Sequence, residues 1–409
     1  MSATHLPVRP GPLPVVHALA VSAGYFKGSP LLAWVPVDLT VLACAVLVAA
    51  TVLDVVARGP RNRVPVWLLV VLVALVPGAV VPVPVGYHAE KLAALVLTVV
   101  VVVSARQLLG DPERRRAWLG ATTAFAALTV GALLLTPDDS TYGRAALEGS
   151  TTIAAGRVSG LVVLVGTVWC LTPGASHRPF RWAATLAGVV VAAGVLVSSG
   201  SRGPFAAVAV ALVTTVLLAP WARRATRITV TLTALGATVV ALTVSTAPGA
   251  QRLLGALVST DAATATRQPL WAAAFRSLSD LPGALVGTGW GGFVSRLGPD
   301  ELPLDAGPRL HPHNVVLEAF VEGGPVAGVA LTAFVVASLV ALWRRAGASG
   351  SSVDVVLFGV AVFLVANAWG SGDLNDNRHM WAALTLAWSV APVTPTVDAH
   401  RPRRLTPVG

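Results

Sequence analysis

Arg309-Leu310-His311-Pro312-His313-Asn314, followed by Val315-Val316-Leu317-Glu318, closes a polar stretch that begins at Ala247 and opens a strongly apolar run. Most of the rest of the chain is apolar enough to lie in lipid, where irregular backbone is tolerated only against protein or water. A polar excursion of this length, residues 247–314, is far longer than an ordinary connection. Any chemistry should be sought there.

Working outward, apolar runs recur along the whole chain. Hydrophobic residues make up 55% of the sequence and charged residues 12%, about half the charge of an ordinary soluble domain. Twelve runs approach or reach spanning length. They lie at residues 13–26, 39–56, 64–85, 92–104, 117–135, 158–171, 182–197, 204–219, 228–245, 315–343, 355–369 and 380–390. The expected fold is therefore all-α, a polytopic membrane protein with about twelve transmembrane helices. Residues 1–394 read as a single membrane domain, and the Arg-rich, Pro-containing tail at 395–409 reads as disordered because it lacks apolar periodicity. The first run is expected to be an uncleaved span, since removing it would spoil the alternation of basic loops.

Basic residues sort onto alternate loops, which orients the chain by the positive-inside rule. Arg58/Arg61/Arg63, Arg106/Arg114/Arg115/Arg116, Arg178/Arg181, Arg223/Arg224/Arg227 and Arg344/Arg345 mark one side, with both termini, as cytoplasmic. Acidic residues such as Asp38, Glu90, Asp138, Asp261 and Asp305 gather on the other side, so the 247–314 segment is expected outside. The formal net charge of +10 is then largely an insertion signal, and no nucleic-acid partner is expected. Cys44 and Cys170 both sit in apolar runs and have neither disulfide nor metal-ligand spacing. No Asp-x-Asp pair, His-Glu-x-x-His or phosphate-binding loop occurs, so neither a metal nor a cofactor is expected.

Several polar groups stand out at the outer side. Ser199-Gly200-Ser201-Arg202-Gly203-Pro204 forms a tight turn into the next helix, whose free amides and Arg202 suit an anion the size of a diphosphate. The alternative is an arginine that snorkels at the membrane face. Arg267 and Arg276 flank a helical pattern in which Trp271, Phe275 and Leu278 share a face, an expected interfacial helix with its aromatics in the headgroup boundary. Gly287-Thr288-Gly289-Trp290-Gly291-Gly292 fits G-x-G-x-x-G, but without a preceding strand it reads as a backbone turn and not a nucleotide site. Asn314 is suited to cap the helix that follows. His313 could act as a general base there, with His311 and Asp38 as competitors. Glu318 and Glu322, one turn apart at membrane depth, require a function or a buried partner.

Ser201-Arg202-Gly203, Arg267 with Trp271, the Gly287-x-Gly289-x-Gly291 turn, and His313-Asn314 followed by Gly324 resemble, in order and spacing, the O-antigen ligase family. The resemblance is strongest over residues 157–381. It implies a membrane glycosyltransferase that takes glycan from a polyprenyl-diphosphate-linked donor and transfers it to a glycan, lipid or protein acceptor on the extracytoplasmic face. By that resemblance His313 is the base, Arg202 and Arg267 grip the carrier diphosphate, and Asn314 belongs to the substrate-binding set. A polysaccharide polymerase joining lipid-linked repeat units is the alternative, and a transporter for lipid-linked glycans a third.

Overall fold

The computed structural model describes residues 11–26, 34–60, 65–83, 87–135, 145–146, 151–172, 178–218, 248–258, 267–279, 286–297 and 310–389. Among the described residues all regular structure is helical. The helices are α1 (Leu13–Ser22), α2 (Leu39–Arg58), α3 (Val66–Ala74), α4 (Val76–Val80), α5 (His88–Leu108), α6 (Pro112–Leu135), α7 (Thr152–Cys170), α8 (Pro179–Ser198) and α9 (Arg202–Leu218). They continue with α10 (Pro248–Val258), α11 (Gln268–Ser279), α12 (Val315–Ser349), α13 (Ser352–Ser371) and α14 (Arg378–Leu386).

Seven of these, α2, α5, α6, α7, α8, α12 and α13, are long and apolar enough to cross a bilayer, so the chain is a multi-pass membrane protein. Three further apolar helical stretches, Leu13–Phe26, Val66–Val80 and Arg202–Leu218, are shorter. The expectation of twelve spans is thus reached only in part. The run at 228–245 lies outside the described residues, and the run at 380–390 contributes only the short, buried α14. The 395–409 tail and the arginines at 61, 63, 223, 224 and 227 also lie outside them.

The apolar character faces two ways. Leu47 and Cys44 of α2 are buried, while Val41, Val48, Val52 and Leu53 of the same helix stay exposed, as expected for a surface solvated by lipid tails. Inside, small residues let backbones approach closely. A methyl group on Gly160 of α7 would meet Val208 of α9 at 2.6 Å and Phe363 of α13 at 2.8 Å, so these three helices share one tight seam.

Helix starts are set by local chemistry. Asp38 Oδ1 accepts hydrogen bonds from the amides of Thr40 at 2.8 Å and Val41 at 3.4 Å, satisfying two donors that helix geometry orphans. Asp38, a competitor for the base, thus serves as the N-cap of α2. Asp38→Ala should lower stability by about 1 kcal/mol and Asp38→Asn should leave it nearly unchanged, because asparagine caps equally well. Thermal unfolding in detergent checks both, and equal losses would show that the charge rather than the cap matters.

Helix α12, the longest among the described residues, is broken near its start. Pro325 within α12 has no N–H to give Val321, and Gly324 adopts φ 82, a left-handed value open to glycine. The carbonyls released at the break are taken by the glycine-rich turn: Thr288 N donates to Val321 O at 2.9 Å and Gly289 N to Glu322 O at 3.0 Å. Gly287 (φ 69) and Gly289 (φ 82) supply the backbone conformations this docking needs. The G-x-G-x-x-G pattern is accordingly a turn, as its sequence reads, and it plugs the break in a kinked helix.

Candidate functional site

His313 occupies the segment that leads into α12. Asn314 Oδ1 accepts from the amides of Val316 and Leu317, both at 3.0 Å, which fixes the first turn and with it the residue before the cap. On the other flank, Trp271 Nε1 of α11 donates to Pro312 O at 2.9 Å. Held from both sides, His313 takes φ 54 and is the one non-glycine residue with positive φ among the described residues. Such a conformation costs energy, and observed outliers of this kind cluster at functional sites.

The imidazole of His313 packs against that of His311, with ring centroids 4.3 Å apart. Burial lowers its pKa from 6.5 to about 4, His311 and Arg267 push in the same direction, and Asp373 opposes them. The ring is therefore neutral near pH 7. His311 Nδ1 lies 3.9 Å from Asp373 Oδ2. Burial alone would raise the Asp373 carboxyl, but Lys91, His311, the Asn375 amide and the Tyr87 hydroxyl hold it below the ordinary carboxylate range.

Three arginines converge on the same region. Arg202 opens α9, and its Nη2 donates to Arg252 O at 3.4 Å, while its buried Nε and Nη1 have no partner. Arg267 Nη1 donates to the carbonyl of Gly370 at the end of α13. A methyl group built on Gly370 would stand 3.6 Å from Gly203 Cα, which places the Arg267 anchor beside the turn that carries Arg202. Burial lowers the Arg267 pKa, and the charges of Arg202 and Arg252 lower it further. Clustered guanidiniums repel one another unless an anion neutralises them, and donors left free in this geometry have the chemistry to receive one.

Behind the histidines lies a buried charged hub. Lys91 Nζ of α5 contacts Glu318 and Glu322 of α12, the latter at 2.6 Å, and stands 3.9 Å from Asp373 Oδ2. Each acid also accepts from backbone. Glu318 Oε2 takes the amide of Leu374 at 3.0 Å, and Glu322 takes those of Gly291 at 2.9 Å and Phe293 at 3.4 Å. Lys91 thus ties α5 and α12 to the glycine-rich turn and to the segment after α13. Trp290 locks the turn from the far side, donating through Nε1 to Leu75 O at 2.9 Å, while His88 Nδ1 meets its carbonyl at 2.7 Å.

The residues singled out from sequence, His313, Asn314, Arg202 and Arg267, therefore fall into one neighbourhood, with His311 alongside. Asp38 caps α2 instead. On α11 the residues buried in protein are Leu270, Ala273, Ala274 and Ser277, Leu270 and the two alanines packing on Phe293, Leu317 and Val321. Phe275 remains 61% exposed, while Trp271 and Leu278 pack partly against the same cluster and Trp271 Nε1 donates to Pro312 O. Lys91, Asp373 and Arg252 were missed. A lysine in an apolar run was the available signal for the first.

Residues 187–332 match the O-antigen ligase family. The matched stretch is about a third of the chain and holds Arg202, Arg252, Arg267, the glycine-rich turn, His313, Asn314, Glu318 and Glu322. Lys91 and Asp373 lie outside it. No curated protein matches the chain.

Proposed function

From the O-antigen ligase domain that this membrane protein carries over residues 187–332, we propose that it is a glycosyltransferase moving glycan from a polyprenyl-diphosphate-linked donor to an acceptor hydroxyl. The observation that carries this reading is the convergence of Arg202, Arg252 and Arg267 beside a conformationally strained, neutral His313.

His313 accepts the proton of the acceptor hydroxyl as its oxygen forms a bond to the anomeric carbon. The bond from that carbon to the diphosphate oxygen breaks, and the electron pair leaves with the polyprenyl diphosphate. Negative charge grows on the leaving group, where the guanidiniums of Arg202 and Arg267 oppose it. Asn314 positions the base through its cap. In this reading the site faces the extracytoplasmic side and both termini face the cytoplasm, consistent with the loop arginines. The spans beside the site give the donor tail an apolar lodging while its head meets the polar segment.

The test is release of polyprenyl diphosphate from a lipid-linked glycan by the purified, reconstituted protein, with acceptors added in turn. Arg202→Gln or Arg267→Gln should slow release by about 10²- to 10³-fold. Product length separates transfer to a distinct acceptor from polymerisation of the donor. Bound donor that stays intact with every acceptor would instead favour transport.

A further inference from the structure

The end of the bundle remote from His313 has its own excess of positive charge. Helix α5 begins at His88 beside the glycine-rich turn and runs about 30 Å to Leu108, and α6 starts after a short turn at that far end. Helix α12 starts at the site and finishes there too, where it turns into α13. Around this end the described residues include Arg58, Arg106, Arg114, Arg115, Arg116, Arg344 and Arg345, seven arginines, against four acids, Asp54, Asp111, Glu113 and Asp354.

The acids are already engaged. Asp54 accepts from Gln107 Nε2 at 2.8 Å and lies within 3.7 Å of both Arg58 and Arg114. Asp111 meets Arg114 at 3.5 Å, Glu113 meets Arg116 at 3.4 Å, and Asp354 holds Arg345 while accepting from Ser349 at 2.8 Å. Arg115 is left over. It is 3% exposed, yet its Nε and Nη1 are buried without any hydrogen-bond partner, and the charges that reach it are those of Arg345, Asp354 and Asp111. Arg345 Nη1 is likewise buried and unpartnered. One turn deeper on the same face of α6, Trp118 Nε1 is another buried donor with no acceptor.

Buried guanidinium donors without acceptors are costly, and a fork of two N–H groups fits two oxygens of one phosphate. Basic pockets between spans at the cytoplasmic face are places where anionic lipid headgroups dock. We propose that Arg115, with Arg345 beside it, is the centre of a binding site for a phosphate group at this end of the bundle, the phosphate of an anionic phospholipid being the expected source. The site is independent of the transferase reading, because it lies at the opposite end from His313 and uses none of its residues.

The experiment is native mass spectrometry of the detergent-solubilised full chain titrated with phosphatidylglycerol, with phosphatidylcholine and with inorganic phosphate. Arg116→Gln removes an exposed charge from the same end and serves as the control. Phosphatidylglycerol should bind wild type and Arg116→Gln alike and in preference to phosphatidylcholine, while Arg115→Gln binds at least tenfold more weakly. If Arg115→Gln does not fold, Arg115→Lys keeps the charge, loses the fork and should still weaken binding by about tenfold. Millimolar inorganic phosphate that binds alone with the same dependence on Arg115 would identify free phosphate as the source. Equal binding of the two lipids by wild type, or equal binding by the Arg115 and Arg116 variants, would overturn the proposal.

Discussion

His313→Ala should reduce turnover of the lipid-linked donor by about 10²- to 10⁴-fold, the range that a positioned general base contributes. Donor binding should change much less, because in the proposed site the diphosphate is held by the arginines. The expected signature is a loss in kcat with KM close to wild type, meaning an interaction made in the transition state and not in the ground state. His311→Gln should cost less than His313→Ala if His313 is the base. Should His311→Gln abolish turnover while His313→Ala retains most of it, the base assignment is wrong, although the arginine site could still stand. Mass-resolved product analysis over a range of donor concentrations gives kcat and KM for all three proteins.

The pH dependence sharpens this test. A histidine base works when unprotonated, and burial, His311 and Arg267 hold the His313 pKa at about 4 in the unliganded protein. The acid limb of kcat/KM, which reports the free enzyme, should therefore fall only as pH drops toward 4. A bound diphosphate brings negative charge to the same arginines and offsets the one that depresses His313. The acid limb of kcat, which reports the donor complex, should consequently lie at higher pH than that of kcat/KM. Coincident limbs near pH 6.5 would mean that the titrating group is an ordinary solvated histidine. An imidazole is also too weak a base to ionise an acceptor hydroxyl beforehand. In the proposed mechanism, proton uptake by His313 therefore accompanies bond formation, when the attacking oxygen has become acidic.

The candidate site was legible in the sequence wherever its local structure is set by neighbouring residues. Asn314 betrayed a cap, His313 stood beside it, and Arg202 sat in a Ser-Gly-Ser turn before Pro204, so short-range rules sufficed. The glycine-rich turn was readable as a turn, but its purpose was not. It satisfies carbonyls freed at Gly324-Pro325, a need created by residues more than thirty positions away in sequence. Lys91 was obscured for the same reason, since its meaning lies in Glu318, Glu322 and Asp373, which approach only after helices far apart in the chain pack together. The fold was legible as helical and membrane-embedded because hydropathy is cumulative. Span number was less so, since apolar content cannot distinguish a crossing helix from the short α14, which is buried in protein.

Lys91→Met should destabilise the protein by about 3 to 5 kcal/mol, the cost of removing one partner from a buried ion pair and leaving the other uncompensated. The lysine is nearly as long as methionine, so lost packing is a minor part, and the penalty comes from Glu318 and Glu322 facing each other and Asp373 without a cation. That prediction separates two ways in which the hub could matter. If charge compensation is its main role, Lys91→Met combined with Glu318→Gln and Glu322→Gln should recover much of the loss, because neutral amides need no cation and their oxygens can still accept from the Leu374 and Gly291 amides. Thermal or denaturant unfolding of the single and triple variants measures this, and a triple variant no more stable than the single one would refute compensation. Activity then asks a further question. Glu322 binds the turn that plugs the α12 break, and Glu318 binds the segment next to Asp373, so both acids bear on where His311 and His313 stand. A triple variant restored in stability but slow in turnover would mean that ionic pulling, and not merely a satisfied core, holds the histidines in register with the arginines.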